Sequence, residues 1–128
     1  MPLKSGKNLF EYAVVRYIPD IERGEFINVG LVMMCKRRRW LQCRMHIAAD
    51  RIVALFPEAD LELLSRQLES FRKVSEGDSS PIGSLEAHER FRWLTAVRSA
   101  CISTSRPHPG VAEDLDSAFD TLFNVLVL

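Results

Sequence analysis

Three segments in the first half of the chain have the hydrophobic patterns of β-strands. Residues 10–18 are rich in aromatic and β-branched side chains, and Pro19 and Asp20 follow them as a turn would. Residues 26–35 are apolar at each odd position and mixed at the even positions, which is typical of a central strand. Residues 40–47 alternate more cleanly, so this strand is expected to keep one face in water.

The loop between the second and third of these strands determines which side chains share a face. If the odd-numbered residues of both strands point into one core, the loop must contain an odd number of residues. Residues 37–39 are three consecutive arginines and would supply a three-residue loop, without a glycine to relieve it. We therefore predict a hairpin with this loop.

Two helices are predicted after the third strand. Asp50 is placed to cap a short helix that runs as far as residue 55. Asp60 is placed to cap a longer helix over residues 61–74, and Gly77 is placed to end it. The apolar stripe of the longer helix consists of Leu61, Leu64, Leu68 and Phe71.

The second half of the chain predicts two further helices and a short strand. Residues 85–93 have a helical pattern, residues 100–103 that of a short strand, and residues 106–110 that of a loop stiffened by two prolines. The last helix is the clearest, because its apolar residues follow the 3.6-residue period and acidic residues lie near the positive end of its dipole. Its stripe consists of Leu115, Ala118, Phe119, Leu122, Phe123 and Leu126.

The order of these elements predicts an α+β fold in one domain. Hairpin-connected strands come first and helices later, so we expect an antiparallel sheet of about four strands with helices packed mainly on one face. A parallel α/β arrangement is the alternative. The length of 128 residues suits one domain, and the hydrophobic share of 47% with a charged share of 27% is that of a globular protein.

The overall charge excludes a global attraction to polyanions. Seventeen Lys and Arg balance seventeen Asp and Glu, so nucleic-acid binding is not expected unless a local patch provides it. The N-terminal sequence does not fit a signal peptide, and no apolar run approaches the roughly 20 residues of a membrane helix. The three cysteines lie in apolar sequence and are expected to be reduced thiols of a cytoplasmic protein.

The segment RYIPDIERGEFINVG, residues 16–30, is the first candidate for chemistry. Arg16 lies in an apolar strand, where an unpaired guanidinium is costly. The simpler interpretation is that Asp20, Glu22 or Glu25 pairs with it and stabilises the hairpin. The alternative is that Arg16, Arg23 and Asn28 face a shared pocket for an anionic or amide-bearing group, since arginine offers a planar fork of donors.

The second candidate segment covers residues 90–110 and is rich in hydroxyl, guanidinium and imidazole groups. Arg98, Ser99 and His108 are suited to bind phosphate or carboxylate. A solvated, proline-stiffened loop is the simpler interpretation. Ser99 and His108 lack a recognisable third catalytic member, so the chain is not assigned as an enzyme. No metal or other cofactor is expected, because the three histidines lie far apart without cysteines or carboxylates at ligand spacing.

Residues 36–39, KRRR, form the only basic run of the chain. With Trp40 and Arg44 beside it, such a run can contact phosphates and stack a base. A solvated hairpin tip is the favoured interpretation in a chain of zero net charge.

The chain resembles the bacterial uncharacterised-domain family numbered 3037 in two stretches, YAVVRYIPDIERGEFINVGLV and RFRWLTAVRSACISTSRPHPG, followed by an amphipathic helix. The resemblance spans nearly the whole chain. It differs after Ser99, where family members tend to carry a Ser-Thr pair followed by an apolar residue and Gln. The positions that correspond to the recurring polar residues and glycines of the family are Arg16, Glu25, Asn28, Gly30, Arg90, Trp93, Thr95, Arg98, Ser99, Ser105, His108 and Gly110.

The resemblance implies a partner more than a reaction, since members often sit beside a gene for a HipA-like kinase-fold protein. Our first hypothesis is therefore a non-enzymatic accessory module with a protein partner, and self-association as a homodimer stays open. The second hypothesis is a small enzyme or binding domain for an anionic or phosphorylated small molecule. Both require the two polar segments to meet at one end or face of the sheet, with Arg16, Glu25, Asn28, Arg98, Ser99 and His108 as binding residues.

Overall fold

The structure is a computed structural model that describes residues 6–96 and 101–128. Within these ranges the chain forms five strands and four helices, which confirms the α+β fold class. The sheet is antiparallel, in the order β3-β2-β1-β4, with β5 also paired to β1. The strands are β1 (Asn8–Tyr17), β2 (Ile27–Cys35), β3 (Trp40–Met45), β4 (Ile102–Thr104) and β5 (His108–Ala112).

Strand β1 lies at the centre of the sheet and is paired on both sides. Strand β2 pairs with one edge of β1, while β4 and β5 pair with the C-terminal and N-terminal parts of its other edge. Ser105 bridges the gap between β4 and β5. Its backbone N–H donates to the carbonyl of Val14 at 2.8 Å, and its buried hydroxyl accepts from the Val14 N–H at 2.9 Å. The hydroxyl thus satisfies a backbone donor where the ladder is interrupted.

The four described helices are α1 (Ala49–Leu55), α2 (Leu61–Glu76), α3 (Ala87–Leu94) and α4 (Leu115–Leu126). Asp60 caps α2 by accepting from the Leu63 N–H at 3.0 Å, and Gly77 ends it, as predicted. Asp114 caps α4 by accepting from the Ser117 N–H at 3.1 Å. The predicted cap at Asp50 is wrong, because α1 begins at Ala49 and has no side-chain cap. None of the described helices is both long and apolar enough to cross a membrane.

The sheet separates two apolar clusters. Helices α1, α2 and α3 pack on one face through Ile52, Leu64 and Phe91, so the helices lie mainly on one face as predicted. Helix α4 packs on the opposite face through Phe119 and Phe123. The odd and even residues of the central strands are therefore both buried, and every residue of β2 except Asn28 is buried.

The predicted three-residue loop between β2 and β3 is wrong. Residues 36–39 form a four-residue turn, and Cys35 pairs with Trp40 across it. Leu31, Met33 and Cys35 of β2 therefore share a face with the even residues of β3, whereas Ile27 and Val29 lie on the other face. The prediction assumed that only one face of the sheet is buried. Because α4 covers the second face, residues on both faces are buried, and a loop with an even number of residues is compatible with this arrangement.

Residues 106–110 are not wholly a loop, because β5 begins at His108. The paired prolines suggested a loop since proline cannot donate to a ladder. Within the described part of the sheet, β5 pairs only with β1, so Pro109 is tolerated at an edge. The predicted strand over residues 100–103 begins outside the described residues and is observed as β4, Ile102–Thr104.

Candidate functional site

The two polar segments meet at the C-terminal part of β1. Arg16 pairs in register with Asn28 on β2 and with Ser103 on β4. A bulge in β2 sets this register, because Val15 pairs with Gly30, Arg16 pairs with Asn28, and Val29 has no partner on β1. Segments separated by more than 70 residues in sequence therefore become neighbours on either side of Arg16.

The guanidinium of Arg16 lies over the ring of Phe26, with Cζ 4.2 Å from the ring centroid. Its Nε is buried and has no hydrogen-bond partner, and no described carboxylate forms an ion pair with it. The predicted local ion pair is thus absent from the described residues. Stacking on an aromatic ring compensates part of the charge but leaves the planar donors of the guanidinium unused.

The carboxylates that were candidates for Arg16 serve the loop between β1 and β2 instead. Glu25 pairs with Arg23 at 2.5 Å, and both side chains are largely exposed. One carboxylate oxygen of Asp20 accepts from the backbone N–H groups of Glu22 and Arg23. Asp20 therefore closes the turn, while Gly24 adopts a positive φ of 72° within it.

Asn28 links the sheet to the end of α4. Its Nδ2 donates to the carbonyl of Leu126 at 2.9 Å, while its Oδ1 is buried without a partner. Arg16 and Asn28 are thus cross-strand neighbours that each keep one unpaired buried polar atom. Such atoms are rare in folded proteins and mark this pair as a candidate recognition site.

His108 lies on β5 opposite Tyr12, and the two rings are 5.4 Å apart between centroids. Tyr12 precedes Arg16 by four residues, which places His108 about 13 Å along the sheet from Arg16 at roughly 3.3 Å per residue. His108 therefore faces the same side of the sheet but lies in a separate neighbourhood. Arg98 and Ser99 lie outside the described residues.

A cleft of about 410 Å³, which the sequence did not predict, lies at the same end of the sheet as Arg16 but on the opposite face. Its walls come from the end of β1, the loop after it, the junction between α1 and α2, and the residue before β4. These three separated segments share no periodic pattern, which is why the sequence did not indicate the cleft. The lining residues are Tyr17, Pro19, Asp20, Arg23, Glu25, Leu55, Phe56, Pro57, Glu58, Ala59, Leu63 and Cys101.

The phenol of Tyr17 and the thiol of Cys101 are two of the polar groups that line the cleft. Burial raises the pKa of Tyr17, and nearby Cys101 and Asp60 raise that pKa further, so the phenol stays protonated at neutral pH. The thiol of Cys101 donates to Oε1 of Gln67 at 2.9 Å. Among the described residues, neither group is paired with a general base of the kind that activates a nucleophile.

Charged groups also gather at two other places on the surface. Glu86, His88 and Glu89 bring three possible ligand atoms within 4.8 Å at the start of α3, but both carboxylates are exposed. In the basic turn, Nε of Arg38 donates to Oδ1 of the buried Asn8 at 2.9 Å. The turn is thereby attached to β1.

Comparison with known proteins gives one match. The model of a family described as "Protein of unknown function (DUF3037)" matches residues 12–127, which include the Arg16–Asn28 pair and all the cleft residues. Neither a curated protein nor a solved structure matches the chain significantly.

Proposed function

Because this chain belongs to the DUF3037 family of proteins of unknown function, we propose a role from its own surface: it is a non-enzymatic accessory module that binds a separately encoded protein. The observation that carries this proposal is the apolar cleft beside the β1–β2 loop. Leu55 and Leu63 at its wall are 55% and 40% exposed, and Ile21 in the adjoining loop is 51% exposed. Apolar side chains clustered around a concavity are typical of protein-docking sites.

The family resemblance supplies the candidate partner, a HipA-like kinase-fold protein encoded next to the gene. An accessory module needs shape and apolar contact rather than a nucleophile and a base, which fits the chemistry of the cleft. The binding residues of this proposal are the cleft residues, with Glu25 at the rim. The role of such a module is to alter the stability or activity of the kinase-fold protein by occupying part of its surface.

We expect Leu55→Glu and Leu63→Glu each to weaken the complex with the HipA-like protein by about tenfold or more, because a central apolar contact is typically worth over 1 kcal/mol. A carboxylate placed against an apolar partner surface must also be desolvated. The measurement is co-purification of the two proteins, followed by titration calorimetry with each purified variant.

Val125→Glu is the matched control, because Val125 on α4 is 73% exposed and lies on the opposite face of the sheet. We expect this variant to bind as tightly as the unmodified chain, and all three variants to melt within a few degrees of it. If the unmodified chain forms no complex and stays monomeric at micromolar concentration, the accessory role is wrong. If it self-associates through the cleft, the partner is a second copy and not the HipA-like protein.

A second candidate function is the recognition of an anionic or phosphorylated small molecule at Arg16. The unpaired guanidinium over Phe26 favours it, because arginine donors pair readily with phosphate and carboxylate oxygens. Asn28 is the second binding residue of this proposal. Arg98, Ser99 and His108 stay candidates from the sequence.

We expect a binding anion at a hundred times its dissociation constant to stabilise the chain by about 2.7 kcal/mol, a shift of several degrees in the melting temperature. Thermal melting against nucleotides, sugar phosphates and dicarboxylates measures this. Arg16→Met keeps the stacking volume over Phe26 but removes the charge, so it should abolish the shift. A shift that persists in Arg16→Met would move the anion site elsewhere, and no shift with any anion would refute this function.

A further inference from the structure

The floor of the cleft is apolar and preformed. Phe56 packs edge-on against Tyr17, with ring centroids 6.0 Å apart and planes at 86°. Ala59 and Pro57 extend this surface toward Leu63 at the start of α2. A floor of aromatic and aliphatic side chains favours an apolar group of the ligand, because burial stabilises the complex by roughly 25 cal/mol for each Å² of apolar surface removed from water.

The two segments that bound the cleft are strongly acidic. Residues 18–26, the loop between β1 and β2, and residues 55–63, from the end of α1 to the start of α2, contain six carboxylates and one guanidinium in a chain of zero net charge. The carboxylates belong to Asp20, Glu22, Glu25, Glu58, Asp60 and Glu62, and the guanidinium belongs to Arg23. The rim therefore has an excess of negative charge that the whole chain lacks.

Among the described residues that line the cleft, the single cation is already neutralised. Arg23 pairs with Glu25 at 2.5 Å, and the described structure contains no other ion pair in either segment. Asp20 and Asp60 accept backbone hydrogen bonds as turn and helix caps but keep their charge. Asp20 and Glu58 line the cleft without an ion pair in the described structure, so the described rim is negative.

The opposite end of β2 has the reverse charge. Residues 36–39 supply four cations in the turn after Cys35, and Ile27 at the other end of β2 adjoins the acidic loop. The two ends are separated by about 26 Å at roughly 3.3 Å per residue. The turn after Cys35 is thus basic, whereas the loop before Ile27 is acidic.

From the apolar floor and the acidic rim we infer that the cleft binds a cationic amphipathic segment of the protein partner. This inference rests on the proposed function and adds the chemistry of the partner. An aliphatic or aromatic side chain fills the floor between Tyr17 and Phe56, and flanking Lys or Arg side chains pair with Asp20 and Glu58, the lining carboxylates outside the Arg23–Glu25 pair. An acidic or phosphorylated segment would be repelled by the same rim.

An unbiased selection tests this inference. Random 12-residue peptides displayed on phage are selected on the immobilised chain, after depletion on the Leu63→Glu variant to remove peptides that bind outside the cleft. We expect the enriched peptides to carry a net charge of about +2 or more and at least one large apolar residue, because both features match the cleft. Neutral or acidic peptides that depend on Leu63 would overturn the inference while leaving a docking cleft in place.

A synthetic form of an enriched peptide then tests the rim directly. We expect Glu58→Gln to weaken its binding by up to about fivefold, since an exposed ion pair is typically worth 0.2–1 kcal/mol. Higher salt should weaken binding to the unmodified chain as well. Glu113→Gln combined with Asp116→Asn removes two carboxylates next to α4, far from the cleft, and is expected to leave binding unchanged.

The outcomes separate this inference from the proposed function. Failure of the HipA-like protein to bind, together with selection of basic cleft-dependent peptides, would refute that partner and keep the chemistry of the site. A complex that survives Leu63→Glu refutes the cleft as the docking site and this inference with it. A peptide whose affinity is the same in both charge-removal variants shows that the rim does not select cations.

Discussion

Phe119→Ala will lower the free energy of unfolding by about 3–5 kcal/mol, the usual effect of removing a fully buried aromatic ring. Phe119 is 0% exposed at the centre of the cluster under α4. Its ring lies 6.3 Å from Phe123 and 6.4 Å from Trp40 between centroids. Urea unfolding followed by circular dichroism measures the change.

Phe91→Ala should lower stability by a similar amount, because Phe91 is 0% exposed in the cluster on the other face. The two clusters share one sheet, so we expect a single unfolding transition in each variant. Val125→Ala is the surface control and should change stability by less than about 0.5 kcal/mol. A separate transition of the Phe119→Ala variant at lower urea concentration, with α2 and α3 still folded, would contradict this expectation. It would show that α4 and its apolar cluster unfold independently of the rest of the chain.

The elements that could be predicted from the sequence are those with a strong local signal. Helix α2 begins directly after its predicted cap Asp60, and α4 begins at Leu115, the first residue of its predicted apolar stripe. Strand β1 follows from its aromatic and β-branched residues, and the observed Asn8–Tyr17 extends two residues earlier than expected. These signals depend only on residues close in sequence.

The features that escaped prediction depend on distant residues. The side of the sheet that α4 covers is set by packing with Leu31 and Met33, which α4 meets about 90 residues later in the chain. Strand β5 forms despite Pro109 because β1 leaves an edge open to it. Local periodicity indicates neither the face that α4 covers nor the pairing of β5. For the same reason, the β2–β3 loop was wrongly predicted to have an odd number of residues.

The two candidate sites also differ in whether the sequence predicted them. The neighbourhood of Arg16 and Asn28 was predicted, because both are polar residues in strands expected to pair. The cleft was not, because its apolar wall comes from Tyr17, Phe56 and Leu63, which lie in segments that no local pattern connects. The acidic residues that surround it were visible in sequence, and only the fold brings their two segments together.

The two candidate sites lie on opposite faces of the sheet, which makes them experimentally separable. Tyr17 belongs to the cluster beneath α1–α3, and its neighbour Arg16 points toward the α4 face. Substitutions at Leu63 and at Arg16 are therefore expected to act independently. The Leu63→Glu variant is expected to lose the partner complex but to keep any shift in melting temperature that an anion causes in the unmodified chain.

Gly30→Ala is expected to lower the free energy of unfolding by about 1–3 kcal/mol through overpacking. A Cβ atom at Gly30 would lie 2.3 Å from Sδ of Met45 and 2.9 Å from the carbonyl oxygen of Arg44. The methionine can rotate away, but the carbonyl belongs to the ladder between β2 and β3 and cannot move without breaking it. Urea unfolding of the variant measures the loss.

Gly24→Ala is the informative comparison, because nothing lies within 4 Å of a Cβ there and only its positive φ of 72° opposes the substitution. That conformation costs a residue with a side chain about 1 kcal/mol. Gly30 also adjoins the bulge that sets Asn28 opposite Arg16, so a shift of β2 in Gly30→Ala would misalign this pair. A stability loss at Gly30 below about 0.5 kcal/mol would show that β3 yields without cost, and the close approach of β2 and β3 would then not require glycine.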